Sequence, residues 1–361
     1  MKIIHAADLH LDSPFSGLSP QQAALRREEQ RQLLDRLSDL AQQEQADLVL
    51  LAGDLLDTGR LYPQTAQALA TALGRIAAPV FIAPGNHDPY NAASPYALPI
   101  WPDNVHIFTT PHPESVCLPE LGCTVYGAAF TQEQNDLDPL EHFAAQGNGM
   151  HIMVLHGNVA GNGYAPITPA HMARSGLHYL ALGHIHQASG LQRAGDTYWA
   201  YPGCPEGRGF DELGQKGALV VTLDPSGSCD ARFAPLCARR YEILDIDLTG
   251  REDALSAVEE VLPAQTDRDI YRLRLIGSFA MDAGVLSQLE QVLTPRFWCL
   301  ELQDRTRMPR DLWARAQEDS LTGLFLQIMA QQCQQHPDDE TLQLAARFGL
   351  AALENGEDVA P

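Results

Sequence analysis

Five short polar motifs, each placed directly after an apolar run, constrain this chain more than any other feature. They are Asp8-Leu-His10 after "KIIHAA", Gly53-Asp54-Leu-Leu-Asp57 after "LVLLA", Gly85-Asn86-His87-Asp88 after "FIAP", His156-Gly157 after "IMVL" and Gly183-His184-Ile-His186 after "YLAL". Short apolar runs bounded by such residues read as buried strands. The carboxyl ends of strands in open α/β sheets are where such folds collect ligands. Twelve of the 13 histidines precede residue 187 and only His336 follows it. A solvated scatter would not concentrate imidazoles in this way.

The segments between the motifs predict the frame that carries them. Helices are expected from about Gln21 to Gln45, capped by Ser19-Pro20, and from Gln64 to Ile76. Further strands are expected at "VHIF", "CTVYGAA", "TYWAYPG" and "GALVVTLD". Strands alternating with helices argue for an α/β fold with partly parallel pairing, and the closer spacing of the later strands argues for a second, more mixed sheet. From Tyr241 the pattern restarts as strand, helix 252–262, strand, helix 282–292 and strand. Helices near 309–317, 319–335 and 338–353 follow, the last opening on Asp338-Asp339-Glu340. The expected division is residues 1–238, a small α+β capping domain over 239–305, and a helical region over 306–361.

Composition bounds the function. The chain has 361 residues, 45% of them hydrophobic, which permits a sizeable core. No apolar run reaches 18 residues and no charged-then-apolar leader opens the chain, so a soluble protein without a membrane span is expected. Seven cysteines without a CxxC pattern suit a reduced, cytoplasmic chain. The net charge of −22, with acids outnumbering bases in both halves, excludes a broad basic face for nucleic acid. Any DNA contact is then local, metal-assisted or supplied by a partner.

Together, and in order, the five motifs resemble those of the calcineurin-like metallophosphoesterase superfamily over roughly residues 1–210. The resemblance implies two packed mixed β-sheets flanked by helices and a pair of divalent metal ions. It implies that Asp8, His10 and His186 hold one ion, that Asn86, His156 and His184 hold the other, and that Asp54 bridges them. His87 would act on the phosphate as general acid or transition-state stabiliser, and Asp57 would orient it. Physical chemistry is consistent with that set. Two ions about 3.5–4 Å apart can share a carboxylate and a hydroxide and clamp a phosphoryl group undergoing in-line displacement. Two carboxylates, four imidazoles and one amide leave such a centre net positive, whereas an Asp in place of Asn86 would cancel the charge that draws in an anionic ester. Imidazole and carboxylate together suit Mn, Fe or Zn better than Mg or Ca, and the resemblance favours Mn²⁺, the metal of the family's nucleases.

Other polar residues have plainer readings. Asp88, before Pro89, reads as a turn residue, and Asp57 has a second reading as a cap for "TGRLYP". His5 inside the first strand reads as buried and hydrogen-bonded. His106, His112, His142, His151, His171 and His178 read as structural. Arg208, in "EGRGF", suits either a phosphate contact or a loop ion pair with Glu206 or Asp211. Arg305, Arg307 and Arg310 read as a solvated loop that could also touch a phosphate backbone.

Within the superfamily, "KIIHAADLHLDSPF", "LAGDLLDTG" and "YPGCPEGRGFDELGQKGALVVTL" look like bacterial SbcD-type DNA repair exonucleases, particularly the YhaO subgroup. In that subgroup the last of these segments closes the second sheet. The resemblance implies DNA as substrate, hydrolysis by a metal-bridging hydroxide, and an SMC-like coiled-coil ATPase as partner to the C-terminal helices. It also raises a homodimer through the early helices, which the Arg26, Arg27 and Arg31 face neither supports nor opposes. A nucleotide or other small-molecule phosphoesterase with the same metals is the alternative.

Overall fold

The apolar runs bury both of their faces, and that places the strands in the interior. In the computed structural model, which describes residues 1–57, 63–159, 161, 163–279, 281, 283–307, 313–336 and 339–355, the first sheet has six strands. Their order is β12 (Cys229–Pro235), β11 (Gly217–Leu223), β1 (Lys2–Ala6), β2 (Leu48–Leu51), β3 (Val80–Ile82) and β4 (Val105–Ile107). β1 to β4 run parallel, and β11 and β12 close the edge antiparallel. The second sheet has the order β5 (Glu114–Leu118), β6 (Cys123–Gly127), β7 (Met150–His156), β8 (Tyr179–Gly183), β10 (Thr197–Ala200) and β9 (Gln192–Ala194). Its four central strands β6, β7, β8 and β10 are parallel.

Period-two alternation divides each strand between two cores. Ile3, Leu48, Leu50 and Phe81 meet Val125, Ile152, Val154 and Tyr179 of the second sheet. Ile4, Val49 and Leu51 turn the other way, onto Leu33 and Leu37 of α1 (Pro20–Gln43) and Leu69 and Leu73 of α2 (Pro63–Leu73). On the far side, Met153, Leu155 and Leu180 cover Met172 of α3 (Pro169–Arg174). These side chains are 0 to 3% exposed, so truncating one to Ala removes about 2–5 kcal/mol. The two packed, helix-flanked sheets are those expected from the sequence.

Ser19 caps α1 through a reciprocal capping box with Gln22, as its position before Pro20 suggests. One detail differs from expectation. The "GALVVTL" strand does not close the second sheet; it pairs with β1 in the first, where its apolar residues alternate between the core against the second sheet and the core against α1. Burial on both faces suits either sheet, so the run itself does not select its neighbour.

The chain divides into two compact units. The first comprises Met1–Ile243, Gln265–Arg272 and Phe297–Cys299; the second comprises Leu244–Ala264, Leu273–Arg296 and Leu300–Pro361. A third sheet, β13 (Tyr241–Asp247), β14 (Ile270–Ile276) and β15 (Cys299–Asp304), accounts for the strands after Tyr241. Four of the expected helices are observed as α4 (Ala254–Val261), α5 (Ala283–Leu293), α6 (Leu321–Gln335) and α7 (Glu340–Asn355). Of the helix expected near 309–317, residues 309–312 lie outside the described residues and Ala314–Gln317 form a 3-10 turn instead. Arg310, Asp338 and the "TGRLY" residues 58–62 lie outside the described residues. Among the described residues no helix is long and apolar enough to cross a membrane. All seven cysteines are free thiols.

Candidate metal centre

All five motifs sit where parallel strands end. Asp8 and His10 follow β1, Asp54 follows β2, Asn86 and His87 follow β3, His156 is the last residue of β7, and His184 and His186 follow β8. The sheets approach closely here, and two glycines permit it. A Cβ on Gly183 would stand 1.8 Å from the Ala52 carbonyl oxygen; one on Gly53, whose φ is +82°, would stand 2.6 Å from His156 Nδ1. The backbone is strained beside them. Asp8 (φ 55°), His10 (φ 42°), Asp54 (φ 52°) and His184 (φ 110°) all occupy positive φ, which costs on the order of 1–3 kcal/mol each and clusters at functional sites.

The donor atoms converge. Asp8, His10 and His186 bring ligand atoms within 4.8 Å of one another, as do Asp8, Asp54 and His156, and His10, Asp54 and His87. His10 Nε2 lies 3.3 Å from His186 Nε2 and 3.7 Å from Asp54 Oδ2. His156 Nε2 lies 3.3 Å from Asp54 Oδ2 and 3.0 Å from Asn86 Oδ1. His184 stands at the margin: its ring is 5.2 Å from that of His156, stacks on Tyr164 at 5.1 Å, and joins none of the three groups. Its backbone N–H donates to both Asp8 oxygens, at 3.1 and 3.2 Å.

The donor chemistry fits divalent cations. Carbonyl and carboxylate oxygens only accept, so the Ala52 carbonyl (2.9 Å) holds a proton on His156 Nδ1. His186 Nδ1 faces both the Glu212 acceptor at 2.7 Å and the Arg208 Nη2 donor at 3.0 Å, the carboxylate being the nearer. Both rings therefore turn Nε2 inward, toward the carboxylates. Without a metal the charges are poorly matched. Burial pushes the Asp8 carboxyl up to about 6, His156 pulling it down and Asp54 adding to the rise. Burial also acts to raise Asp54, but His156 overrides it and holds that carboxyl well below the usual range. For His156, burial disfavours the cation, yet Asp54 and Asp8 lift it to about 9. His10 falls to about 3 through burial and the neighbouring Arg208 charge, and His184 to about 4 through burial and His156. One proton on His156 thus serves two buried carboxylates, a place that a divalent ion would take over.

His87 differs from the other histidines. Its side chain is 48% exposed, whereas those of His10 and His156 are 1% and 0%. Nδ1 lies 3.6 Å from Asp57 Oδ1, and the Asp57 carboxylate raises the His87 pKa. Its backbone N–H donates to Asp54 Oδ1 at 2.8 Å.

Three residues do more than their sequence context suggests. Asp88 joins no metal-ligating group, but it is more than a turn residue. It is fully buried and accepts from Gly85 N (2.7 Å), Asp54 N (3.1 Å), Leu55 N (2.7 Å), Leu56 N (3.1 Å) and Tyr96 Oη (2.5 Å), tying the Asn86 loop to the Asp54 loop. Arg208 pairs with neither Glu206 nor Asp211; its Nη2 donates to Glu212 at 2.7 Å, an i,i+4 pair. Glu212, in turn, reaches His186. The available signal was a set of charged residues in an otherwise Gly-rich segment directly after the last histidine motif. The tertiary partner of each was not readable from it. Of the plainer readings, His5 is buried between Tyr179 Oη (2.8 Å) and the Leu182 carbonyl (3.2 Å), and His171 pairs with Asp138 at 2.5 Å.

Comparison with known proteins agrees with this geometry. The chain is similar to the uncharacterized metallophosphoesterase YhaO of Bacillus subtilis strain 168, with 32% identity over 263 residues, covering 69% of this chain but only 64% of that relative's length. It is also similar to the D subunit of the nuclease SbcCD from the same strain (26% identity; 62% of this chain, 67% of the relative). The corresponding protein of Staphylococcus epidermidis is 24% identical, over 68% of this chain and 73% of the relative. The calcineurin-like phosphoesterase family profile matches residues 1–188. The chain therefore belongs to the calcineurin-like phosphoesterase family.

Proposed function

We propose that this chain is a dinuclear-metal DNA phosphodiesterase, an exonuclease of DNA repair, that works with an SMC-like coiled-coil ATPase. The observation that carries the reading is the convergence of Asp8, His10, Asp54, His87, His156 and His186 donor atoms into three overlapping groups linked through Asp8, His10 and Asp54. Similarity to two SbcCD nuclease subunits directs it to DNA. In this reading Asp8, His10 and His186 hold one ion, Asn86, His156 and His184 the other, and Asp54 bridges. His184 would turn its ring inward from Tyr164 to do so. A bound pair of ions, Mn²⁺ by preference with Fe or Zn as substitutes, would supply Lewis acidity and lower the pKa of water.

The chain's own groups do the rest. His87, half exposed and backed by Asp57, donates a proton to the departing sugar oxygen. Asp57 holds the His87 ring by Nδ1 so that Nε2 meets the substrate. Asp88 keeps the two loops carrying Asp54 and His87 in register. Residues 1–238 form the nuclease domain, 239–305 the capping domain, and 306–361 the partner-binding helices. The net charge of −22 leaves much of the DNA grip to the partner.

A second reading, hydrolysis of nucleotides or other small phosphoesters, is favoured by that same acidity. The test is Mn²⁺-dependent release from end-labelled duplex and single-stranded DNA beside cyclic nucleotides and nucleoside monophosphates, with and without the ATPase. Cleavage of DNA is expected. Turnover of the small esters alone would establish the second reading instead.

A further inference from the structure

The segment 204–216, which follows the last histidine pair, meets His186 at four points. Glu212 Oε1 accepts from the ring Nδ1–H at 2.7 Å, and Arg208 Nη2 stands 3.0 Å from the same nitrogen. The backbone carbonyl accepts from Lys216 Nζ at 3.1 Å and from the Cys204 N–H at 3.2 Å. Glu212 is itself immobilised. Arg208 donates to its Oε1 from Nη2 at 2.7 Å and Nε at 3.2 Å, and the Arg208 backbone N–H donates to Oε2 at 2.8 Å. The Glu212 side chain is only 4% exposed, so this is a built arrangement and not a surface pair.

His156 receives the corresponding support from a neutral group, the Ala52 carbonyl. The Glu212 carboxylate, itself held in place by Arg208, fixes the tautomer and plane of the His186 ring. We propose that Glu212 is a positioning residue for His186, held by Arg208 and aiming Nε2 at Asp8 and His10. The two metal positions are then unequal: the one that includes His186 depends on Glu212, and the one at Asn86 and His156 does not. This inference rests on the dinuclear reading given above.

The test is Mn²⁺ titration of the full-length protein, followed by the electron paramagnetic resonance of free and bound ion, with thermal unfolding of the metal-free protein alongside. Glu212→Ala is expected to weaken one of the two ions about 10–100-fold and to leave the other unchanged. Glu212→Gln, which retains an acceptor for Nδ1–H without the charge, should recover part of that loss. Wild-type affinity at both sites in Glu212→Ala would overturn the inference while leaving the dinuclear reading intact. Equal weakening of both sites, with or without a lower unfolding midpoint, would also overturn it, because the residue would then act on the fold or the overall charge. A wild-type protein that takes up no Mn²⁺ would instead overturn the dinuclear reading on which it rests.

Discussion

Arg26 and Glu206 are buried as deeply as Asp8 and Asp54, all at 2% exposure or less, yet the two clusters are built differently. Arg26 donates to Glu206 at 2.8 Å, to Glu29 at 2.6 Å and to the Gly207 carbonyl at 2.9 Å. Glu206 also takes Arg36 at 3.1 Å and the Ala238 N–H at 2.9 Å, and Glu29 takes Arg239 at 2.8 Å. Each charge there meets its opposite, and Arg26 sits on an ordinary helical backbone. Around Asp8 and Asp54 the charges do not close. Two carboxylates face histidines that burial drives toward neutrality, one proton is held by His156, and four residues keep positive φ. A buried cluster whose charges pair within the protein is structural; one whose charges pair only when a cation arrives is a binding site. Burial also takes Arg26 out of any dimer face on α1, where Arg31 remains exposed and pairs with Glu28 at 2.7 Å.

The largest expected effect comes from removing the shared carboxylate. Asp54→Ala should lose both metals and lower turnover by more than about a thousandfold, measured by metal content and by phosphodiester hydrolysis. Next is His87→Ala, expected to keep both metals and lose roughly 10²–10⁴ in kcat. A metal-free His87 variant would move that residue from proton donor to ligand, an alternative its proximity to His10 and Asp54 makes worth excluding.

The contrast itself is tested by a pair of isosteric changes. Glu206→Gln removes the fully buried counter-charge of Arg26, leaving it Glu29 alone, and should cost about 1–3 kcal/mol in urea denaturation. Asp8→Asn, in metal-free protein at neutral pH, should cost no stability, because one of two crowded carboxylates has been discharged. Equal losses for both variants would erase the distinction.

His5 provides the test that is smallest at neutral pH, and it resembles the closed cluster in that Tyr179 and Leu182 satisfy both of its nitrogens. Burial holds its pKa at about 3, the Leu182 carbonyl acting the other way. Between about pH 6.5 and 3 the unfolded chain therefore binds a proton that the native chain does not. The His5 contribution is complete above pH 6.5 and is lost on acidification at about 1.4 kcal/mol per pH unit. Denaturant midpoints across that window should flatten in His5→Gln.

What was legible in the sequence followed from local chemistry. The strand ends were marked by an abrupt change from apolar to polar residues, which is why Asp8, Asp54, Asn86, His156 and His186 could be grouped from the sequence. Long-range pairing was not legible. Nothing local tells Arg26 that its partner is Glu206, 180 residues away, or that Glu212 serves His186. The five acceptor contacts of Asp88 were hidden for the same reason, because a turn-forming Asp and a loop-bridging Asp look alike until the second loop is placed. The sheet that "GALVVTL" joins is not written in its residues, since both sheets bury both faces and an apolar run carries no record of which neighbour it prefers.

The unclosed charge around Asp8 and Asp54 is tested most directly by metal stoichiometry. Wild-type protein and Asp54→Ala, both stripped and reloaded with Mn²⁺, are compared by elemental analysis. About two ions per chain in the wild type and close to none in the variant are expected from a carboxylate-bridged pair. A wild type that retains no metal, or an Asp54→Ala variant that keeps two ions, would contradict it.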